Sequence, residues 1–72
     1  MNDKQMEKAK KIIKKHYCLD RDVTNQEVID EINNLKRKGI DVLYLTGFKD
    51  LYYQLERVGI ISYDDLTSQN NT

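Results

Sequence analysis

The sequence predicts a mainly α fold, a compact bundle of three helices with at most a minimal pair of β-strands. Three observations predict it. Apolar residues recur at the 3.6-residue spacing of a helix face in three separate stretches. Thr24 and Glu27 have the spacing of a helix-capping box. The count of prolines is 0, and the 3 glycines, Gly39, Gly47 and Gly59, stand singly where an apolar stripe starts or stops. A chain of 72 residues, 39% hydrophobic and 33% charged, has the balance of one small globular domain. Residues 1–66 are expected to form that single helical domain, and the polar residues 67–72 a disordered tail.

Between Lys4 and Tyr17, the residues Met6, Ala9, Ile12, Ile13 and Tyr17 make one stripe on a helix. Lys4, Lys8, Lys11 and Lys15 recur at intervals of four, three and four, so they form a ridge on the opposite side, with Lys10 and Lys14 beside it. Glu7 and Lys11 are a favourable spaced pair, but neighbouring lysines repel, so this helix depends on burying its stripe. Residues 19–23 read as a polar connection. The second helix is announced by the Thr24 and Glu27 pair and by Val23 and Val28, which stand where a hydrophobic staple requires. Its stripe is Val28, Ile29, Ile32 and Leu35. Lys36, Arg37 and Lys38 crowd the last turn, where cations favour the helix dipole, and Gly39 can then take a left-handed conformation while Ile40 folds back onto the helix.

Residues 40–45 fit equally a short extended piece or a single helical turn begun by Asp41. Thr46 and Gly47 offer the start of a third helix, with Phe48, Leu51, Tyr52, Leu55 and Val58 on its apolar face and Gly59 as its stop. Ile60, Ile61 and Tyr63 follow as a brief extended segment.

The formal charge is +0, yet residues 1–18 hold six lysines against Asp3 and Glu7, a balance of +4, which leaves −4 for residues 19–72. A chain divided in this way can present a basic face to a polyanion while remaining neutral. One cysteine, Cys18, and one histidine, His16, allow neither an internal disulfide nor a four-ligand zinc site, and they suit a reducing cytoplasm. The longest apolar run, Val42 to Leu45, is far short of a membrane span, and nothing reads as a targeting segment. No glycine-rich phosphate loop is present, and neither His16 nor Cys18 has a catalytic companion. The pairs Asp20 with Asp22 and Asp64 with Asp65 supply too few oxygen donors for an ion. The expectation is therefore a non-enzymatic protein without cofactor or metal.

The stretch Leu51-Tyr52-Tyr53-Gln54-Leu55-Glu56-Arg57-Val58-Gly59-Ile60-Ile61 resembles the recognition helix and following strand of winged helix-turn-helix regulators, in which a leucine-spaced helix ends in Glu, a variable pair, Gly and an apolar pair. Thr24 to Ile32 is similar to the preceding helix of that motif, and the order of elements over residues 4–62 is that of such domains. The resemblance implies a three-helix helix-turn-helix bundle and a small DNA-binding regulator of transcription. Only Ser62 to Leu66 follow Ile61 before the polar tail, so the wing is expected to be reduced or absent.

On this resemblance the third helix would meet a major groove through Lys49, Asp50, Tyr53, Gln54 and Arg57. Lys49 and Arg57 suit phosphates or guanine edges, Gln54 suits adenine, and Tyr53 suits a sugar or a thymine methyl. Lys11 and Lys15, from the first-helix ridge, would follow the phosphate backbone. A homodimer built through Tyr44, Leu45 and Tyr63 would set two such helices about 34 Å apart. Asp50 and Glu56 oppose DNA, and the same face reads equally as plain solvated surface. The alternative is a compact helical adaptor or inhibitor that binds a partner protein, with the lysine ridge docking an acidic surface. Neutral charge and 5 tyrosines favour it, and accessory proteins of phages and mobile elements are analogous.

Overall fold

The computed structural model describes residues 1–67, and it is mainly helical and compact. Its elements are α1 (Asp3–His16), α2 (Asn25–Lys38), α3 (Ile40–Thr46), α4 (Lys49–Val58) and α5 (Tyr63–Thr67). Three of these, α1, α2 and α4, are the helices expected from the stripes. The other two correct the expectation of three helices, and no strand is found among the described residues, where at most a minimal pair was expected.

The segment left open at residues 40–45 is helical because Ile40 and Leu43 share a face, Leu43 is fully buried, and Asp41 stands in the first turn. Gly39 separates α2 from α3 with φ 81 and ψ 167. This is an extended conformation of positive φ rather than the left-handed helical one expected. It allows the Gly39 amide to close α2 on the Leu35 carbonyl at 3.2 Å while its own carbonyl accepts from Leu43 at 3.2 Å, so one residue ends one helix and starts the next.

Tyr63 does not continue an extended segment, because Ser62 and Asp65 form a reciprocal cap. The Ser62 amide donates to Asp65 Oδ2 at 3.0 Å, and the Asp65 amide donates to Ser62 Oγ at 3.2 Å. Ile61 and Leu66 on either side of that cap are buried. Thr67 belongs to α5. The rest of the tail expected over residues 67–72 lies outside the described residues.

The core is formed by Ala9 and Ile13 of α1, Val28, Ile32 and Leu35 of α2, Leu43 of α3, Leu51, Tyr52 and Leu55 of α4, and Val23, Ile61 and Leu66 around them. Val23, assigned from sequence to the connection, is buried beside Val28, as a staple requires. Two stripe positions differ from expectation. Tyr17 is the C-terminal cap of α1, and Ile29 lies far enough round α2 to be partly exposed. α1 and α4 run antiparallel: Gln5 Nε2 donates to the Val58 carbonyl at 3.1 Å near one end, and the His16 and Phe48 rings meet at 5.3 Å at the other.

Candidate nucleic-acid interface

Along α1, Lys4, Lys8, Lys11 and Lys15 are all exposed, and none has an ion-pair partner among the described residues. The flanking lysines differ. Lys10 lies 3.8 Å from Glu7, and Lys14 lies 3.2 Å from Asp22. At about 1.5 Å of rise per residue, the ridge is roughly 16 Å long. That equals the axial length of about five base pairs of duplex DNA.

The ridge leads to an end of the bundle where three helices meet over Phe48. The Phe48 ring lies 5.3 Å from His16 and 6.4 Å from Tyr17, and Lys38 Nζ stands 4.3 Å above its centroid. Lys38 is the cation over this aromatic group, and Lys15 and Lys49 are the chain neighbours of His16 and Phe48. Sequence reasoning missed this cluster. Its only local signal is an aromatic residue at the start of α4 where a polar cap is usual: Phe48 is the N-cap and supplies no side-chain hydrogen bond.

Beside it, the Tyr17 hydroxyl donates to Glu31 Oε2 at 2.5 Å. Desolvation first, then the Glu31 carboxylate, raises the Tyr17 pKa. Glu31 Oε1 is buried without a hydrogen-bond partner among the described residues. These two residues and Arg21, paired with Glu27, line an open cleft of about 580 Å³ between α1 and α2.

On α4, Lys49, Asp50, Tyr53, Gln54 and Arg57 are exposed. Their surroundings divide them. The Tyr53 hydroxyl lies 2.5 Å from that of Tyr44 on α3, with ring centroids 6.3 Å apart, so Tyr53 is turned toward α3. That hydrogen bond is the leading cause that raises the Tyr44 pKa. Gln54 folds back toward the Asp50 carbonyl, 3.4 Å away. Lys49 and Arg57 have no ion-pair partner among the described residues, whereas Glu56 accepts from the Tyr52 hydroxyl at 2.6 Å. Burial first, and then Glu56, raises the Tyr52 pKa.

The antiparallel packing sets Lys49 at the Lys15 end of α1 and Arg57 at the Lys4 end. Lys11 lies between, and Tyr53 and Gln54 lie between the two α4 cations. Tyr44 and Leu45 are exposed on α3 and Tyr63 on α5. Among the described residues no three His, Cys, Asp or Glu side chains are grouped as a metal site, and no helix is long and apolar enough to cross a membrane. Comparison of the chain with known proteins finds no matching family model, no similar curated protein and no similar solved structure.

Proposed function

We propose that this chain is a small non-enzymatic DNA-binding protein that grips the phosphate backbone through α1 and lays part of α4 against the duplex. The observation that carries the reading is the row of four α1 lysines, exposed and free of ion pairs among the described residues while their flanking neighbours are paired. A cation already held by a carboxylate gains little from a phosphate. A free one releases a counterion from the duplex when it binds. Lys38 and Lys49 stand near the Lys15 end of the row, and α3 and α4, separated by Gly47 and Phe48, would serve as the helix pair in place of the Thr24 to Ile32 segment that the resemblance put before α4. Regulation of transcription in the manner of winged helix-turn-helix proteins, with Lys49, Tyr53, Gln54 and Arg57 facing the groove, is the finer form of this proposal. With no strand among the described residues, the wing would have no part in it.

The test is binding of a duplex by fluorescence anisotropy across a salt series. Replacing Lys4, Lys8, Lys11 and Lys15 by glutamine should leave the helical circular dichroism intact and reduce the salt slope of log K by about three to four, at about 0.9 per phosphate contact. Lys49→Ala with Arg57→Ala should reduce it by about two. An unchanged slope in the four-lysine variant, or no binding by the unaltered chain at low salt, removes the proposal.

A second reading is favoured by one observation, the 86% exposure of Leu45 beside Tyr44 and Tyr53. Apolar and aromatic side chains gathered on a surface suit a protein partner better than a phosphate backbone. In that reading the chain is a helical adaptor or inhibitor. Recovery of the same partner after nuclease treatment, and its loss with Leu45→Asp, is the expected result.

A further inference from the structure

The edge where α3 meets α4 carries side chains that neither the core nor the lysine ridge uses. Leu45 is 86% exposed, Tyr44 47% and Tyr53 41%. The hydroxyls of Tyr44 and Tyr53 share one hydrogen bond at 2.5 Å, which leaves one O–H and the two ring faces to whatever covers the pair. Together these three side chains leave on the order of 350 Å² of largely apolar surface in water, a size at which a patch on a small protein often has a role.

The charges at this edge point to one occupant. Lys49 and Glu56 both lie close enough to act on the Tyr44 hydroxyl, with opposite sign, and neither has an ion-pair partner among the described residues. Asp41, in the first turn of α3, is exposed as well. A polyanion would meet Glu56 and Asp41 as repulsion. A partner of either single sign would satisfy one side of the rim and oppose the other. A second copy related by a two-fold axis that passes between Lys49 and Glu56 sets each against its opposite twice, because the same patch serves on both sides.

The area agrees. Roughly 350 Å² of apolar surface is somewhat under half of the roughly 800 Å² that each partner contributes to a standard interface, which leaves the remainder to a polar rim. A core of this size stabilises a chain only marginally, which gives association a thermodynamic use.

We propose that the chain forms a two-fold dimer through the α3–α4 edge, with Leu45 beside the axis and Lys49 of each copy against Glu56 of the other. In the dimer Lys49 and Tyr53 belong to the interface, so this dimer and the groove-facing form of α4 exclude one another, and a loss of two phosphate contacts in Lys49→Ala with Arg57→Ala would count against the dimer. The α1 ridge takes no part in the contact. The dimer itself requires no nucleic acid.

Sedimentation velocity of the full chain tests it, from roughly 10 μM to roughly 1 mM, the range suited to the weak association that a patch of this size supports. The expected result is a shift from one chain toward two as concentration rises, and a single chain throughout for Leu45→Asp with unchanged circular dichroism. A second measurement fixes the symmetry. In a Cys18→Ser background, Leu45→Cys should cross-link to its own copy under mild oxidation, whereas Asp30→Cys, on the outer face of α2, should not. A monomer over the whole range overturns the proposal and returns the patch to a different protein. A dimer that persists unchanged in Leu45→Asp, or that fails to cross-link at position 45, also overturns it by placing the interface elsewhere.

Discussion

α1 and α2 begin with side chains that reach back to cap them, and α3 and α4 begin with none. Asn2 accepts from the Gln5 amide at 2.8 Å while the Gln5 side chain accepts from the Asn2 amide at 3.0 Å. Thr24 and Glu27 do the same for α2 at 3.2 and 3.0 Å. Such a cap is worth about 1 kcal/mol, and it acts whether or not the rest of the chain has folded. Gly39 and Phe48, the residues before α3 and α4, give no side-chain hydrogen bond. The first pair of helices therefore has its boundaries written in neighbouring residues, while the second pair exists where burial holds it. The same division runs through the surface. The first pair presents lysines and ion pairs, and the second presents Tyr44, Leu45 and Tyr53.

The sharpest way to break this comparison is to remove burial from α4. Leu51 is fully buried between α4 and the rest of the core. Leu51→Ala should cost about 2–5 kcal/mol through lost transfer free energy and the cavity left behind. A core of this size contributes only about 3–5 kcal/mol in total, so the variant should be largely unfolded at room temperature by circular dichroism. A loss under about 1 kcal/mol in urea titration would mean that α4 is held by something other than its buried face.

The comparison also explains what was legible in the sequence. α2 was readable because Thr24, Glu27, Val23 and Val28 act on one another within five residues, and α1 because its apolar stripe has helical spacing, although the Asn2 and Gln5 cap that starts it was overlooked. The α1 ridge was readable because helical spacing alone puts its lysines together. α3 was not, because seven residues with Ile40 and Leu43 as their inner face satisfy a strand and a helix equally until α2, α4 and α5 are packed around them. α5 was legible and overlooked, since Ser62 and Asp65 have the same spacing as the cap of α2. The exposure of the α4 side chains followed from periodicity. The turn of Tyr53 toward Tyr44 and the gathering of His16, Tyr17 and Lys38 around Phe48 depend on how helices distant in sequence cross, and no local pattern carries that.

A smaller effect sharpens the comparison at the helix ends. α1 closes with Leu19 donating to the Lys14 carbonyl at 3.0 Å and Cys18 to Lys15 at 3.2 Å, the pattern in which the residue after the helix is usually glycine. Cys18 fills that place with φ 55, whereas α3 and α4 close on Gly47 and Gly59. A left-handed side chain costs about 1–2 kcal/mol, partly offset because glycine has more freedom to lose on folding. Cys18→Gly should thus raise stability by up to about 1 kcal/mol, and Gly47→Ala, where an added Cβ meets nothing within 4 Å, should lower it by a similar amount. Differential scanning calorimetry should show the two midpoints moving in opposite directions, with Cys18→Ala near the unaltered chain. Here the uncapped half is the better terminated one, so local design is not confined to α1 and α2.

The most delicate probe is acid, because it reaches the carboxylate that caps α2, whereas α3 and α4 start without a side-chain cap. Arg21 donates to Glu27 through Nη1 at 2.8 Å and Nη2 at 2.7 Å, and the Thr24 amide adds a third bond at 3.0 Å. Arg21 first, and the Thr24 amide next, hold the Glu27 carboxyl below its ordinary 4.5, at about 2. A carboxyl with its pKa lowered by folding stabilises the folded chain above the unfolded value and loses that contribution as pH falls through the folded value. The window therefore runs from about 4.5 down to about 2. The thermal midpoint of the unaltered chain should exceed that of Glu27→Gln by a constant amount above this window, and the gap should close within it. The amide resonances of Thr24 and Glu27 should move together over the same window. A gap that stays constant to the acid end would show that α2 starts without help from the Glu27 charge, and the contrast between capped and buried helices would then rest on the Thr24 hydroxyl alone.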